Sequence, residues 1–140
     1  MKLPGTYLAF DFGTKTIGIA VGQTITKTAN PLTTISAVQG IPNFDQLRSI
    51  INEWLPKGLI VGLALQEDGS PSETSRAAER FGKRLAKEFK LPIFYTEERL
   101  TSVAALERLK ESPPLVQSHR NKDAMAAAII LESWLNNEGG

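Results

Sequence analysis

Three acidic residues that lie far apart in the chain each adjoin a predicted strand or helix. Asp11 ends the first predicted strand, Glu98 follows the last one, and Asp123 opens a helix. In open α/β sheets the functional crevice lies beyond the carboxyl ends of the parallel strands. The residues after Asp123 are mostly alanine, which is small enough to let that helix approach the sheet closely. We therefore expect the three carboxylates to converge in one site.

Clustered carboxylates repel one another and resist ionisation, so such a site favours a bound cation. Oxygen ligands suit Mg²⁺ or Mn²⁺. Two such ions can activate a water molecule and stabilise the leaving oxygen of a phosphodiester, so no side-chain nucleophile is required. The chain has no cysteine, and we interpret its single histidine, His119, as a loop residue. The pattern indicates metal-dependent phosphodiester hydrolysis.

Basic and hydroxyl-bearing residues near the acids are candidate phosphate contacts. In the turn after Asp11, Gly13 permits a tight bend and three residues offer donors: Thr14, Lys15 and Thr16. Beside Asp123 we expect Arg120 and Lys122, with His119, to contact phosphates. A predicted helix also carries a positive face: Arg76, Arg80, Lys83, Arg84 and Lys87. This face could contact phosphates or could simply be solvated, and the net charge of +1 does not decide between these two interpretations.

Hydrophobic patterning predicts the elements that would position these residues. Residues 7–10 and 17–22 form a predicted hairpin, and a third strand is predicted over 31–36. The continuous apolar run 59–63 is typical of a strand buried on both faces, and the last strand covers 91–95. Helices are predicted over 44–55, 73–89, 102–110 and 122–137. We expect one α/β domain over 1–140, with a mixed five-stranded sheet whose first three strands form an antiparallel meander, flanked by helices.

Each acid also has a simpler explanation. Asp123 could be a first-turn acid that is favoured by the helix dipole. Asp11 could be a turn residue before Gly13. Glu98 could pair with Arg99 on the surface. Their joint position at one predicted sheet edge favours the metal site.

No apolar run approaches the roughly 18 residues needed to cross a bilayer, which argues against a membrane role. The first residues lack the charged patch and apolar run of a secretion signal. We therefore expect a cytoplasmic protein.

Four ordered blocks of the sequence resemble the YqgF proteins, also called RuvX. The blocks are residues 8–20 (LAFDFGTKTIGIA), 60–65 (IVGLAL) with Asp68-Gly69, 98–102 (ERLTS), and 122–127 (KDAMAA) leading to 130–133 (ILES). YqgF proteins are described as Holliday-junction resolvases and as nucleases of pre-16S ribosomal RNA.

The resemblance implies a ribonuclease H-like fold and divalent-metal hydrolysis of phosphodiesters. It also implies a role in maturing the 5′ end of pre-16S ribosomal RNA, with structured nucleic acid and ribosomal particles as partners. By position, the acids of that family fall on Asp11, Glu98 and Asp123. In the block after the last strand, Arg99 and Thr101 are further candidates for nucleic-acid contact. Two alternatives stay open: a nuclease of branched DNA, and a non-catalytic module that binds RNA during ribosome assembly.

Overall fold

The computed structural model describes residues 4–13, 15–63, 72–97 and 119–136, the first turn of the last segment by its backbone alone. The strands are β1 (Thr6–Asp11), β2 (Thr16–Gln23), β3 (Thr28–Val38), β4 (Ile41–Pro42), β5 (Gly58–Leu63) and β6 (Ile93–Glu97). The helices of these segments are α1 (Phe44–Trp54), α2 (Glu73–Phe89) and α3 (His119–Asn136). The predicted helix over 102–110 lies outside the described residues.

The strands form one mixed sheet in the order β4-β3-β2-β1-β5-β6. β1, β2 and β3 are antiparallel neighbours, which confirms the predicted meander. β5 is parallel to β1, and β6 is parallel to β5. The carboxyl ends of β1, β5 and β6 therefore lie at the same edge of the sheet, as the sequence predicted.

The short strand β4 is the sixth strand, where five were predicted and a loop was expected. Gln39 and Gly40 both have positive φ, 51° and 82°, and turn the chain back on itself. Ile41 then pairs with Val38, and Pro42 pairs with Ala37. β3 is also longer than predicted, because its pairing with β2 continues from Thr28 to Ser36.

Two layers of helices cover the sheet. Leu8 and Phe10 belong to the core between the sheet and the helices α1 and α2. Tyr7 and Ala9 alternate with them and pack against α3 on the other face. Trp134 of α3 anchors this second core, because its ring lies 4.9 Å from Tyr7 and 5.0 Å from Phe94.

Local signals fix where the first two helices begin. The Asn43 side chain accepts hydrogen bonds from the main-chain N–H groups of Asp45 and Gln46, and so caps α1. Ser72 and Ser75 form a reciprocal capping box at the start of α2. Helix α3 begins at His119, three residues before its predicted start, so the interpretation of His119 as a loop residue was wrong. Asp123 therefore lies in the second turn of α3, and the expectation that it opens the helix or acts as a first-turn acid was also wrong. Among the described residues, no helix is long and apolar enough to cross a membrane.

Candidate functional site

Asp11 is the last residue of β1 and lies at the sheet edge where the parallel strands end. Its side chain is half-buried. Because successive strand residues point to opposite faces, Asp11 shares its face with Tyr7 and Ala9, which pack against α3. The carboxylate therefore belongs to the side of the sheet that α3 covers.

Gly18 of β2 connects Asp11 with helix α3. It is the register partner of Asp11, so the two Cα atoms are about 5 Å apart across the strands. A Cβ atom at position 18 would overlap the carbonyl group of Asp123 and would lie 2.8 Å from the nitrogen of Ala124. The second turn of α3 thus lies directly on β2, beside Asp11.

Small residues of α3 permit this approach. Ala124, Ala127 and Ala128 are buried against the sheet, which confirms that these alanines let the helix come close. The half-buried Asp123 is thereby brought to the same edge and the same face as Asp11. The main chains of two of the three predicted acids therefore lie near each other on this face.

The third predicted acid, Glu98, lies outside the described residues, as do Thr14, Arg99 and Thr101. Strand β6 ends at Glu97, two strands away from Asp11 across β5, or about 10 Å. Within the described segments, no group of three or more acidic or histidine side chains could hold a metal ion. There the candidate metal ligands are the carboxylates of Asp11 and Asp123.

A family model described as "RuvX: Holliday junction resolvase" matches residues 5–137. The chain belongs to the RuvX family. Its RuvX relatives include proteins of Pseudomonas paraeruginosa, 47% identical over 129 residues, and of Dechloromonas aromatica, 45% identical over 134 residues. The alignments cover 91% and 95% of this chain and 90% and 92% of the relatives. Both relatives are named "Putative pre-16S rRNA nuclease".

Solved structures show the fold of this RuvX chain to be ribonuclease H-like. Thermus thermophilus RuvC, in complex with a Holliday junction substrate, superposes with a TM-score of 0.57 at 15% identity. That match covers 97% of this chain and 96% of RuvC. The fowlpox virus resolvase, also in complex with Holliday junction DNA, gives 0.56 at 10% identity and covers 94% and 99%. The fold and family expected from the sequence are therefore confirmed.

The candidate phosphate contacts of this RuvX chain occupy two places near the acids. Lys15 is exposed, and its carbonyl accepts a hydrogen bond of 2.9 Å from the N–H of Ala37, which ties it to the end of β3. Thr16 begins β2 and is half-buried. Lys122 is half-buried next to Asp123, and Arg120 lies in the first turn of α3, which is described by its backbone alone.

The contribution of Gly18 to this site was missed by sequence reasoning. Gly18 was noted only as part of the first family block. A signal was present, because Gly18 and Gly22 lie four residues apart in β2 and both face α3. A Cβ at Gly22 would lie 2.9 Å from Leu131 of α3. Glycines inside a strand indicate the close approach of another part of the chain.

Proposed function

We propose that this protein is a divalent-metal-dependent endonuclease, with Asp11, Asp123 and Glu98 as its metal ligands. The observation that supports the proposal is the close approach of the Asp123 main chain to Gly18, the register partner of Asp11. Glu98 is included because it directly follows β6, which ends at the same sheet edge as β1.

The donor set fits Mg²⁺ or Mn²⁺. Carboxylate oxygens are the ligands that these hard cations prefer, and two half-buried carboxylates on one face gain from a cation between them. When bound, the ions supply an activated water and stabilise the leaving oxygen of the phosphodiester. The carboxylates fix the position of that chemistry at the end of β1.

The basic residues around the acids would hold the substrate backbone. Lys122 adjoins Asp123 in sequence, and exposed Lys15 lies in the turn between β1 and β2. Together with Arg120 and Thr16, these residues can contact phosphates on either side of the scissile bond. Such contacts carry no sequence information, so they position the strand and do not select it.

Precursor ribosomal RNA is the substrate that we propose, and maturation of its 5′ end in the cytoplasm is the role. The support comes from the relatives at 47% and 45% identity, which carry the name of a pre-16S rRNA nuclease. A four-way DNA junction is the second candidate, because the matching family model is described as a Holliday junction resolvase.

Cleavage of the two substrates by matched variants tests the proposal. Wild-type protein with Mn²⁺ or Mg²⁺ should cut a pre-16S fragment that carries its 5′ leader, and Asp11→Asn and Asp123→Asn should abolish cutting. Glu53→Gln removes an exposed carboxylate of α1 and should cut like wild type. Equal cleavage by wild type and Asp11→Asn would end the assignment. Preference for a four-way DNA junction over the RNA would favour the second candidate.

A further inference from the structure

A second candidate binding site lies on the face of the sheet opposite the two acids. It is a cavity of about 510 Å³, in the size range of small-molecule sites. Within the described residues, it is lined by Phe12, Glu73, Thr74, Arg76, Ala77 and Arg80. We call it the Phe12 cavity.

The Phe12 cavity begins one residue away from Asp11, at the same edge of the sheet. Phe12 directly follows Asp11, so their Cα atoms are about 3.8 Å apart. Phe12 is 8% exposed, and its ring centroid lies 5.3 Å from that of Phe81. On its other side, a Cβ at Gly40 would lie 2.9 Å from Phe12 Cζ. The floor of the cavity is therefore held tightly, in fixed relation to Asp11.

Two arginines supply positive charge on one side of the cavity. Arg76 and Arg80 are four residues apart on α2, so they are neighbours on one helix face, and both are exposed. Among the described residues, neither guanidinium forms an ion pair, whereas Arg48 is paired with Asp45 and Glu88. A guanidinium fork matches the geometry of a phosphate.

The remaining lining suits the rest of a nucleotide. A phosphate alone would fill little of a 510 Å³ cavity. Phe12 and Ala77 offer apolar surface to a base or a ribose ring. Thr74 can donate to an oxygen, and Glu73 can accept from a ribose hydroxyl or an exocyclic amino group. The mixture of charge, apolar floor and acceptor favours a nucleotide over a bare anion.

We propose that the Phe12 cavity binds one nucleotide of the substrate strand and thereby sets which phosphodiester lies at Asp11. This inference rests on the proposed nuclease function. Arg76 and Arg80 act on the phosphate, and the apolar floor acts on the base or ribose. Both arginines are positioning residues, because the reacting bond lies at Asp11 and not in the cavity.

Binding to a single-stranded RNA oligonucleotide separates a specific cavity from a generally positive helix. Fluorescence anisotropy is measured in an Asp11→Asn background, which prevents cleavage. Arg76→Ala with Arg80→Ala should weaken binding about 10- to 100-fold and lower the salt slope by about 0.7 for the lost phosphate contact. Lys83→Ala with Lys87→Ala is the matched control, with the same charge change and spacing on α2 outside the cavity lining. It should weaken binding less than threefold.

A charge-conserving pair tests the geometry of the arginines. Arg76→Lys with Arg80→Lys keeps the charge and the helix but loses the guanidinium fork. We expect it to retain the wild-type salt slope and still bind at least threefold more weakly. Equal losses in the alanine pair and the Lys83/Lys87 control would overturn the proposal, because a uniformly charged surface would then explain the binding.

Two further measurements identify the ligand and separate this inference from the nuclease assignment. A 5′-mononucleotide should shift the NMR resonances of Phe12 and Ala77 and should compete with the oligonucleotide, whereas inorganic phosphate should compete less well. In the protein with Asp11 intact, the Arg76/Arg80 alanine pair should raise KM and spread cleavage over neighbouring bonds. Cleavage at one unchanged position with unchanged KM would refute the cavity proposal and leave the nuclease standing. Selective oligonucleotide binding with no wild-type cleavage would refute the nuclease and leave the cavity.

Discussion

Gly18 of β2 and Asp123 of α3 lie so close that a Cβ atom at position 18 would overlap the Asp123 carbonyl group. Because Gly18 is also the register partner of Asp11, this single contact fixes the spacing between strand β1 and the second turn of α3. The candidate metal site depends on that spacing.

Gly18→Ala should move the second turn of α3 away from the sheet. We expect the free energy of unfolding to fall by about 1–3 kcal/mol, as for other overpacked sites, and RNA cleavage to fall at least tenfold. Gly22→Ala is the control, since its Cβ would lie 2.8 Å from the main-chain oxygen of Thr28 and 2.9 and 3.0 Å from Leu131 and Leu135 of α3, farther from the acids. It should lose comparable stability in urea titrations but keep most of its cleavage. Wild-type stability in Gly18→Ala would contradict the close contact.

Trp134→Ala should remove the main anchor of α3. Trp134 is 5% exposed and packs against the rings of Tyr7 and Phe94, so its truncation should lower the free energy of unfolding by about 3–5 kcal/mol. Trp54→Ala offers a comparison, because Trp54 is only half-buried at the end of α1. Chemical denaturation should show the smaller loss for Trp54→Ala. A loss in Trp134→Ala that is no larger than the loss in Trp54→Ala would contradict the role of Trp134 as the main anchor of α3.

Tyr95 should make the fold sensitive to alkaline pH. Burial raises the pKa of its hydroxyl, and the nearby Glu79 carboxylate raises that pKa further. The Tyr95 hydroxyl donates a 3.3 Å hydrogen bond to the main-chain carbonyl of Glu79. The Tyr95 ring packs on Gly82, where a Cβ atom would lie 2.9 Å from Tyr95 Cζ. The folded state therefore holds the phenol proton more tightly than the unfolded state, whose pKa is near 10.

The direction of this pKa shift determines the pH range over which Tyr95 stabilises the fold. The stability that Tyr95 contributes is complete below about pH 10 and is lost as the pH rises through the higher pKa of the folded state. The melting temperature of wild type should therefore fall more steeply above about pH 10 than that of Tyr95→Phe. Parallel curves for the two proteins would show that the shift has no effect on stability.

Much of the fold was predictable because hydrophobic patterning is local. The continuous burial of β5 and the apolar run that ends at Asp11 showed where the parallel strands lie. Strand β4 was missed because two residues, one of them proline, carry no periodic signal. The last strand was predicted to begin two residues too early. Pro92 lies outside β6, although its carbonyl accepts a 2.9 Å hydrogen bond from the N–H of Leu59.

The site was predictable only in part, because contacts between distant segments leave little trace in one sequence. The sheet edge and the alanines of α3 pointed to the meeting of Asp11 with Asp123. The role of Gly18 depends on the packing of β2 against α3, more than 100 residues later in the chain. The positive face of α2 was visible in the sequence, but tertiary packing decides that Phe12 lines the same cavity as Arg76 and Arg80.

Paramagnetic broadening by Mn²⁺ tests the central claim most directly, because it locates a bound ion without substrate. We expect small additions of Mn²⁺ to broaden the amide resonances of Gly18 and Ala124 first. Gln23 should stay sharp, since it pairs with Thr6 at the far end of β1, about 17 Å from Asp11. Asp11→Asn should remove the selective broadening at Gly18 and Ala124. Broadening that is centred elsewhere, or that persists unchanged in Asp11→Asn, would contradict a metal site at Asp11 and Asp123.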